Sequence, residues 1–322
     1  MGNKINLQIA NDLQTQIVTK LTGLTLNENI HILNIRLEEE KNDYLNTIVV
    51  DKTKDHNNEK QTMVILHGYG AAATVFYRVF KGLGENFRLL IVDLYGFGQS
   101  TRIKAEKTKL KKNIEASENY FTEPIEQWRQ QMGINEKFIL VGHSFGGYVA
   151  SAYALKYPQN IQKLMLLSPA GFSKFSQQGN SDALNQNQSG SFINRKLAQS
   201  AEYFWNKDIS AFDLFRKLGF AFTAKFVDSF LKQNSPDISK EEKKLMKQYL
   251  TQIFLFPSSG EYAVNQLIHA NGQTRDCLLT RIEQIRHQVP ITFVYGDTDW
   301  MHGQKEVRDR DHRVQSRKPQ NL

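Results

Sequence analysis

The stretch FILVGHSFGGY, residues 138–148, decides the fold of this 322-residue chain. Its first four residues, Phe138–Val141, form an apolar run that is typical of a buried strand, and the following segment, Gly147–Tyr157, has helical character. Between them stands a G-x-S-x-G motif centred on Ser144. A serine on a tight, strained turn between strand and helix presents its hydroxyl beyond the sheet, at the positive end of the helix. The pattern therefore predicts that Ser144 is a nucleophile, with a plain glycine-rich turn as the alternative.

Further short apolar runs on both sides of this stretch predict a mostly parallel sheet. They lack the alternation of a half-exposed strand, as expected where helices cover both faces of a sheet. Intervals at Thr74–Leu83 and Ile125–Met132 fit helices, so strands and helices alternate as in an α/β fold. Two β-branched stretches, residues 31–36 and 47–50, predict an antiparallel pair at the start. The runs are Thr62–Leu66, Arg88–Val92, Phe138–Val141, Lys163–Leu167 and Ile291–Tyr295.

The interval 173–288 breaks this alternation and predicts a helical cap inserted before the last strand. Its Gln/Asn/Ser-rich stretch, residues 177–191, precedes segments with helical periodicity. Ser239 and Glu242 have the spacing of a capping box, which predicts a helix running toward Leu255. The apolar stripe of that helix packs onto the core or, alternatively, lines an acyl-chain path. The expected domains are an N-terminal extension (1–27), the first part of the core (28–172), the cap (173–288), the acid-bearing strand and loop (289–307) and a basic, non-homologous tail (308–322).

A second motif, HGYG at residues 67–70, directly follows the apolar run Thr62–Leu66. A loop at this place supplies a backbone N–H that points at a reacting carbonyl oxygen. The amides of Tyr69 and Phe145 are therefore the predicted oxyanion hole, since pre-oriented donors stabilise the charge of a tetrahedral intermediate. His67 is expected to shape the loop rather than to transfer protons.

The catalytic acid is expected after the late strand, in the stretch YGDTDWM at residues 295–301. Asp299 is the predicted acid and Asp297 the alternative; the carboxylate would hold an imidazole in the required tautomer. Histidines after Asp299 occur at His302 and His312. His302 is too close in sequence to reach Ser144 without distorting the acid loop, and His312 is a weak candidate for the base because its surroundings are basic and poor in apolar residues.

These residues resemble the lipid-directed α/β-hydrolases, over roughly residues 30 to 307. The resemblance rests on Val64–Ser100, on the G-x-S-x-G turn at residues 142–146 with Gly147 and Tyr148, on Leu166–Phe172 and on Gly296–Met301. This group includes N-acyl-phosphatidylethanolamine lipase, the coactivator of adipose triglyceride lipase, and plant and yeast relatives with lysophosphatidic acid acyltransferase or cardiolipin deacylase activity. The resemblance implies an α/β-hydrolase fold and chemistry on phospholipid or acylglycerol esters. The coactivator branch lacks the nucleophilic serine, whereas this chain has Ser144. The resemblance therefore favours a serine lipid ester hydrolase, with or without acyl transfer.

The resemblance weakens after Asp299. Members of the group have a further strand, a loop with the catalytic histidine and a final helix there, whereas the 23 residues that follow here show no strand pattern. The acyltransferase signature H-x-x-x-x-D is absent from the sequence. The expectation is a truncated or frame-shifted gene product, and the alternative function is a catalytically impaired lipid-binding or lipase-regulating protein of the same fold.

Composition sets the remaining expectations. The 41 basic and 33 acidic residues give a net charge of +8, which suits a solvated face or contact with an anionic membrane surface. No aromatic-interleaved basic motif indicates nucleic acid. Cys277 is the single cysteine, so no disulfide or cysteine-based metal site is expected. We predict no cofactor and no metal, a lipid or acyl-ester substrate, and a cytoplasmic protein, with attachment to membranes, lipid droplets or mitochondria as an option.

Overall fold

The computed structural model describes residues 5–38, 42–51, 60–103, 107–172, 202–270 and 272–296. Its centre is a seven-stranded sheet in the order β1-β2-β4-β3-β5-β6-β7. The strands are β1 (Ile30–Arg36), β2 (Tyr44–Val50), β3 (Thr62–Leu66), β4 (Arg88–Val92), β5 (Phe138–His143), β6 (Ile161–Leu167) and β7 (Ile291–Val294).

The sheet is antiparallel at its start and parallel thereafter, as predicted. Strand β2 pairs antiparallel with both β1 and β4, while the pairs β3–β4, β3–β5, β5–β6 and β6–β7 are all parallel. The carboxyl ends of β3, β5 and β6 consequently lie side by side, with Leu66 opposite Gly142 and His143 opposite Leu167. This edge of the sheet is where an open α/β fold places its site.

Helices cover both faces of the sheet. They are α1 (Leu7–Lys20), α2 (Tyr77–Leu83), α3 (Lys107–Leu110), α4 (Ile114–Gln131), α5 (Phe145–Lys156), α6 (Ala211–Asn234), α7 (Lys240–Leu255), α8 (Glu261–Leu267) and α9 (Leu278–Ile282). Short 3₁₀ turns occupy Ala73–Phe76, Pro158–Asn160 and Glu283–Ile285.

Local chemistry accounts for several helix ends. The capping box predicted at Ser239 is present: its hydroxyl accepts from the Glu242 amide, and the Glu242 carboxylate accepts from the Ser239 amide. Ser210 and Asp213 form the same motif at the start of α6. Each box satisfies backbone donors that the first helical turn leaves free.

Two hydrophobic layers form the core, one on each side of the sheet. The first joins α4 and α5 to the sheet through side chains such as Trp128 and Tyr148. The second contains Ile17 of α1, Phe80 of α2 and Tyr249 of α7. Helix α1 lies within residues 1–27, which the sequence marks only as an extension, and it contributes Ala10, Leu13, Ile17 and Val18 to this layer.

The connection between β6 and β7 contains helices α6 to α9, in keeping with the predicted cap. Residues 173–201 of that interval and residues 297–322 lie outside the described ranges. The domain boundaries therefore stay predictions. Among the described helices, none has the length and apolar character needed to cross a lipid bilayer.

Candidate active site

Ser144 occupies a strained turn between β5 and α5. Its backbone angles, φ 53° and ψ −119°, are unusual for a residue with a side chain. Two glycines make this turn sterically feasible. A Cβ on Gly142 would lie 2.3 Å from the carbonyl oxygen of Gly146, and one on Gly146 would lie 2.4 Å from the carbonyl oxygen of Leu66. The motif of small residues around the serine is thus required by close backbone contacts.

Backbone hydrogen bonds hold the serine in place against β6. The Ser144 amide donates to the carbonyl of Leu167 at 3.0 Å, and the Ser144 carbonyl accepts from Ala170 at 3.0 Å. The side chain is partly exposed. Within the described ranges, no residue forms a hydrogen bond with Ser144 Oγ. The serine is therefore positioned by its main chain, with its hydroxyl at the surface of the site.

The Phe145 amide is the first N–H of α5 and has no acceptor within the helix, which makes it available to an anionic oxygen. The loop carrying Tyr69 lies next to the serine, because a Cβ on Gly68 would be 3.2 Å from Ser144 Cβ. The structure thus places both segments that carry the predicted oxyanion amides beside Ser144. The assignment of Tyr69 and Phe145 as the oxyanion hole remains a prediction.

The Tyr69 side chain lies among aromatic rings from α6, from the segment before it and from the turn after β4. Its ring centroid is 5.2 Å from Phe212, 5.6 Å from Trp205 and 5.8 Å from Phe97, in edge-to-face geometry. Such packing restricts the rotation of the tyrosine and fixes the loop that it belongs to. The predicted cap therefore contributes directly to the wall of the site.

His67 is buried and bridges two backbone segments. Its Nε2 accepts from the amide of Leu94 at 3.0 Å, which leaves the proton on Nδ1, 2.8 Å from the carbonyl oxygen of Gly68. Burial is the main cause that lowers its pKa to about 4, so the ring is neutral near pH 7. These contacts agree with the loop-shaping role expected from the sequence.

Asp93 organises the turn that follows β4. Its carboxylate accepts from the amides of Ala73 at 2.6 Å and Gln99 at 2.8 Å. Burial raises its pKa to about 6, and the two amide bonds oppose that rise. Gly98 has φ +52°, and a Cβ there would lie 2.3 Å from Asp93 Cγ. The turn is a structural element that connects β4 to the 3₁₀ turn before α2.

Several predicted catalytic residues fall outside the described ranges: Asp297, Asp299, His302 and His312. The strand that precedes them is described. β7 pairs with β6, and the Ser168 amide donates to the carbonyl of Val294 at 2.8 Å. The chain therefore leaves β7 beside the end of β6, which itself pairs with β5. Asp299 as the acid and His312 as a weak candidate base stay predictions.

A small cavity beside the Tyr69 loop brings in residues that the sequence did not single out. It is bounded by Gly70, Phe97, Arg102, Phe212, Phe254 and Glu261. Arg102 donates to the carbonyls of Pro257 and Gly98, at 3.1 and 3.2 Å. Nothing in the local sequence signals the contact of Arg102 with Pro257, since the two residues are 155 positions apart. No group of metal-ligating side chains occurs in the part of the chain that the structure describes.

Comparison with known proteins gives the family. Residues 61–316 match the model of the alpha/beta hydrolase fold, which is most of the chain. The chain belongs to the alpha/beta hydrolase family. The predicted fold and the predicted resemblance to its lipid-directed members are confirmed.

Curated relatives within this family act on lipids according to their names. A 1-acylglycerol-3-phosphate O-acyltransferase from Arabidopsis thaliana is 31% identical over 278 residues, which cover 83% of this chain and 61% of the relative. Human 1-acylglycerol-3-phosphate O-acyltransferase ABHD5 is 28% identical, with 75% and 65% covered. The human (lyso)-N-acylphosphatidylethanolamine lipase is also 28% identical, with 76% and 67% covered. The chain thus spans about 61% of the length of the Arabidopsis hydrolase-family relative.

Solved structures of other alpha/beta hydrolases share the fold. A candidate alpha/beta hydrolase from Nostoc sp. PCC 7120 superposes with a TM-score of 0.56 at 19% identity, covering 88% of this chain and 86% of the other. A candidate acyltransferase from Salmonella enterica superposes with a TM-score of 0.52 at 17% identity, covering 83% and 79%. At these identities the agreement concerns the fold.

Proposed function

We propose that this alpha/beta hydrolase is a serine-nucleophile lipid ester hydrolase that attacks an acyl ester through Ser144. The observation that carries the proposal is the juxtaposition of a strained serine with two segments, the Tyr69 loop and the start of α5, that bear the predicted oxyanion donors. Gly142 and Gly146 tolerate no Cβ, so the turn is shaped by contacts that hold the serine at the sheet edge. A strained backbone at a partly exposed serine supports a functional role.

In the proposed reaction Ser144 Oγ attacks the ester carbonyl carbon, and its proton passes to a histidine. The carbonyl oxygen becomes an oxyanion that accepts hydrogen bonds from the amides of Tyr69 and Phe145. Collapse of the tetrahedral intermediate transfers the proton to the departing alcohol and leaves an acyl-serine ester. Water, or the hydroxyl of a lysolipid, then resolves this ester. Asp299 is the proposed partner of the histidine.

Two lines of support point to a lipid substrate. The relatives that match most of this chain carry the names of a lysophosphatidate acyltransferase and an acyl-phosphatidylethanolamine lipase. The walls beside the Tyr69 loop are largely aromatic, with Phe97 and Phe212 among the rings that contact Tyr69. Apolar walls of this kind suit an acyl chain.

A second function competes with the first, a lipid-binding or lipase-regulating protein that retains the pocket without turnover. The sequence feature that favours it is the basic and apolar-poor surroundings of His312, the weak candidate for the base. A serine without a general base is a weak nucleophile. The two functions share a fold and differ in one measurable property, the reactivity of Ser144.

Covalent labelling by a fluorophosphonate probe separates them. We expect the full chain to be labelled and Ser144→Ala to be unlabelled, while the matched control Ser235→Ala, which changes a serine in the α6–α7 connection, is labelled like the parent. Asp299→Asn and His312→Ala should each reduce the labelling rate if they form the triad. A folded parent chain that resists labelling would contradict the hydrolase and support the binding function.

Ester cleavage itself is the second readout. Release of fatty acid from lysophosphatidate or from a monoacylglycerol, followed with parent and Ser144→Ala chains, identifies the substrate class. Addition of a long-chain lysolipid acceptor distinguishes acyl transfer from hydrolysis, because transfer yields a diacyl product at the expense of free fatty acid.

A further inference from the structure

Helix α6 contains a sharp bend. Gly219, with φ 79° and ψ −173°, is not helical and interrupts the element between Leu218 and Phe220. The ring centroids of Phe215 and Phe226 lie only 4.7 Å apart. Eleven residues of straight helix would separate them by about 16 Å along the axis. The bend therefore folds the two halves of α6 toward each other and places both rings in contact.

One side of the second half of this helix, after Gly219, is apolar and exposed. Three phenylalanines at a spacing of four residues leave between 42% and 45% of their surface exposed. We call this row the outer face of α6. Burial of other side chains on the same helix, such as Val227 and Leu231, shows that the opposite side is the one packed on the core. The outer face consists of Phe222, Phe226 and Phe230.

Exposed lysines accompany the row. Lys217, Lys225 and Lys232 are exposed on α6, and none of them forms an ion pair or hydrogen bond within the described ranges. The acidic neighbours are engaged elsewhere: Asp228 pairs with lysines of α7, and Asp213 pairs with Arg216. Across residues 211–255 there are seven lysines and one arginine against five acidic residues. The outer face is thus aromatic, flanked by unpaired positive charge.

Aromatic contacts connect this face to the active site. The ring centroid of Tyr69 lies 5.2 Å from that of Phe212. The ring of Phe212 lies 5.9 Å from that of Phe215, which in turn lies 4.7 Å from that of Phe226. Phe226 in turn stacks on Phe230, with 6.4 Å between centroids. The series begins at the loop next to Ser144 and ends on the exposed row. A single helix therefore joins the protein surface to the wall of the site.

We propose that the outer face of α6 docks on an anionic lipid surface, with its aromatic side chains inserted among the acyl chains and Lys225 and Lys232 at the headgroups. A helix with aromatic side chains on one side and exposed lysines beside them is the kind that lies in a membrane interface. The proposal rests on the proposed function, because docking would present lipid esters at the end of the aromatic series that leads to Ser144.

The flanking charge favours a lipid surface over a second copy of the chain. A symmetric dimer through this face would bring the same patch of both subunits together. Lysines that lack acidic partners would then approach lysines of the same kind, which opposes association. An anionic membrane complements the charge and accommodates the aromatic rings at the same time.

Co-sedimentation of the full-length Ser144→Ala chain with vesicles tests the proposal without turnover. We expect binding to phosphatidylcholine vesicles that contain phosphatidylserine and weaker binding to phosphatidylcholine alone. The triple change Phe222→Ser, Phe226→Ser and Phe230→Ser should reduce the partition coefficient by at least about thirtyfold, since each ring contributes several-fold. Lys225→Gln with Lys232→Gln should reduce it about tenfold at low salt.

Matched controls change the same chemistry elsewhere on the surface. Leu33→Ser with Val79→Ser removes exposed apolar side chains of β1 and α2, and Lys81→Gln with Lys137→Gln removes two exposed lysines. Both controls should bind vesicles like the parent. Circular dichroism and thermal unfolding establish that every variant is folded before binding is compared.

A fluorescent label provides a test that does not depend on loss of binding. Phe226→Cys on a Cys277→Ser background, labelled with an environment-sensitive dye such as NBD, should show a blue shift and brighter emission on anionic vesicles. The same dye at Lys81→Cys should change little. Insertion of the outer face is the expected cause of the difference.

Three results would overturn the proposal. They are absence of binding to anionic vesicles at low salt, equal binding by the triple serine variant, and a dimer in sedimentation velocity that the triple variant converts to a monomer without loss of vesicle binding. Failure of docking is separable from failure of the proposed function. Fluorophosphonate labelling of Ser144 in vesicle-free buffer reports on the nucleophile alone, and vesicle binding by the Ser144→Ala chain reports on the surface alone.

Discussion

Arg281 donates to both carboxylate oxygens of Glu118, at 2.7 and 2.8 Å, although the two residues lie 163 positions apart. Glu118 also accepts from the hydroxyl of Tyr148 at 2.8 Å. This contact links α9, in the interval predicted as cap, to α4 and to the helix that follows the nucleophile. A bidentate guanidinium on a largely buried carboxylate is a stronger link than a surface ion pair.

Arg281→Met should destabilise the fold by about 2–4 kcal/mol, because it leaves the Glu118 carboxylate without its cation in a largely buried place. Urea unfolding of the purified chain measures the change. In the double variant with Glu118→Gln, the losses should be less than additive by about 1 kcal/mol or more. The exposed pair of Arg286 and Glu283 is the control, and its removal should leave the unfolding curve unchanged. Additive losses at Arg281 and Glu118 would refute the coupling.

Gly146→Ala should damage both stability and the reactivity of Ser144. The new Cβ would lie 2.4 Å from the carbonyl oxygen of Leu66 and 2.5 Å from that of His67. Both oxygens belong to the main chain at the end of β3, so relief requires that the Tyr69 loop move away from the serine. Overpacking of this kind costs about 1–3 kcal/mol or more. Thermal unfolding and the rate of fluorophosphonate labelling measure the two effects.

Gly82→Ala is the matched control for that substitution. Gly82 lies inside α2, and a Cβ there meets no atom within 4 Å. Alanine should therefore be neutral or stabilise the helix by up to about 1 kcal/mol, with labelling unchanged. If Gly146→Ala has as little effect as Gly82→Ala, Gly146 does not lie against the main chain at the end of β3.

The titrations of Asp93 and His67 should change the free energy of unfolding in opposite directions, and the two changes should largely cancel between pH 4 and 6. The pKa of buried Asp93 is raised to about 6, so its contribution to stability is greatest below the unfolded value of 3.8 and falls as pH rises through 6. The pKa of His67 is lowered to about 4, so its contribution is lost as pH falls from the unfolded value of 6.5 through 4. Each group changes the free energy of unfolding by about 1.4 kcal/mol per pH unit, and the two changes have opposite signs.

Removal of either group should reveal the other. The free energy of unfolding of Asp93→Asn should decrease on acidification from pH 6.5 to 4, because the variant lacks the opposing titration of the aspartate. That of His67→Gln should increase over the same range. Urea unfolding at half-unit pH intervals checks both slopes. Parallel slopes in the two variants and the parent would contradict the opposed titrations.

Short-range patterns in the sequence predicted much of this fold. The apolar run before Ser144, the glycines around it and the helix after it depend on residues within about twenty positions of one another. The antiparallel start and the parallel remainder followed from the same kind of pattern. The two predicted oxyanion segments lie beside Ser144 because neighbouring parallel strands end at one edge of the sheet, a rule that requires no knowledge of side-chain contacts.

Features that depend on tertiary contacts were not predictable in this way. The sequence predicted a helix only over Ile125–Met132, directly after Pro124, a residue type that usually begins or ends a helix. The structure continues α4 from Ile114 through Pro124 to Gln131, and core burial of Phe121 and Trp128 on both sides of the proline offsets the lost hydrogen bond. The bend of α6 likewise depends on packing between Phe215 and Phe226. The acid and base remain predictions from sequence order.

Gly219→Asn tests whether the bend of α6 needs a backbone conformation that only glycine adopts easily. With φ 79° and ψ −173°, the residue lies in a region that is nearly exclusive to glycine, and a Cβ there would meet no atom within 4 Å. The cost, about 1–3 kcal/mol, is therefore one of backbone strain rather than of collision. If α6 straightens to relieve it, Phe215 and Phe226 separate, and vesicle binding by the outer face should weaken as well.

Gly133→Asn is the control for that substitution, because Gly133 also has a positive φ, 63°, but ends α4 in a Schellman arrangement. The Gly133 amide donates to the carbonyl of Gln130, and the amide of Ile134 donates to the carbonyl of Arg129. Asparagine tolerates the left-handed conformation of such a helix end. Urea unfolding should therefore show a small loss at Gly133 and a several-fold larger one at Gly219. Equal losses would mean that the α6 bend needs only an ordinary left-handed residue, and a Gly219→Asn variant without loss would mean that the backbone at the bend is not strained.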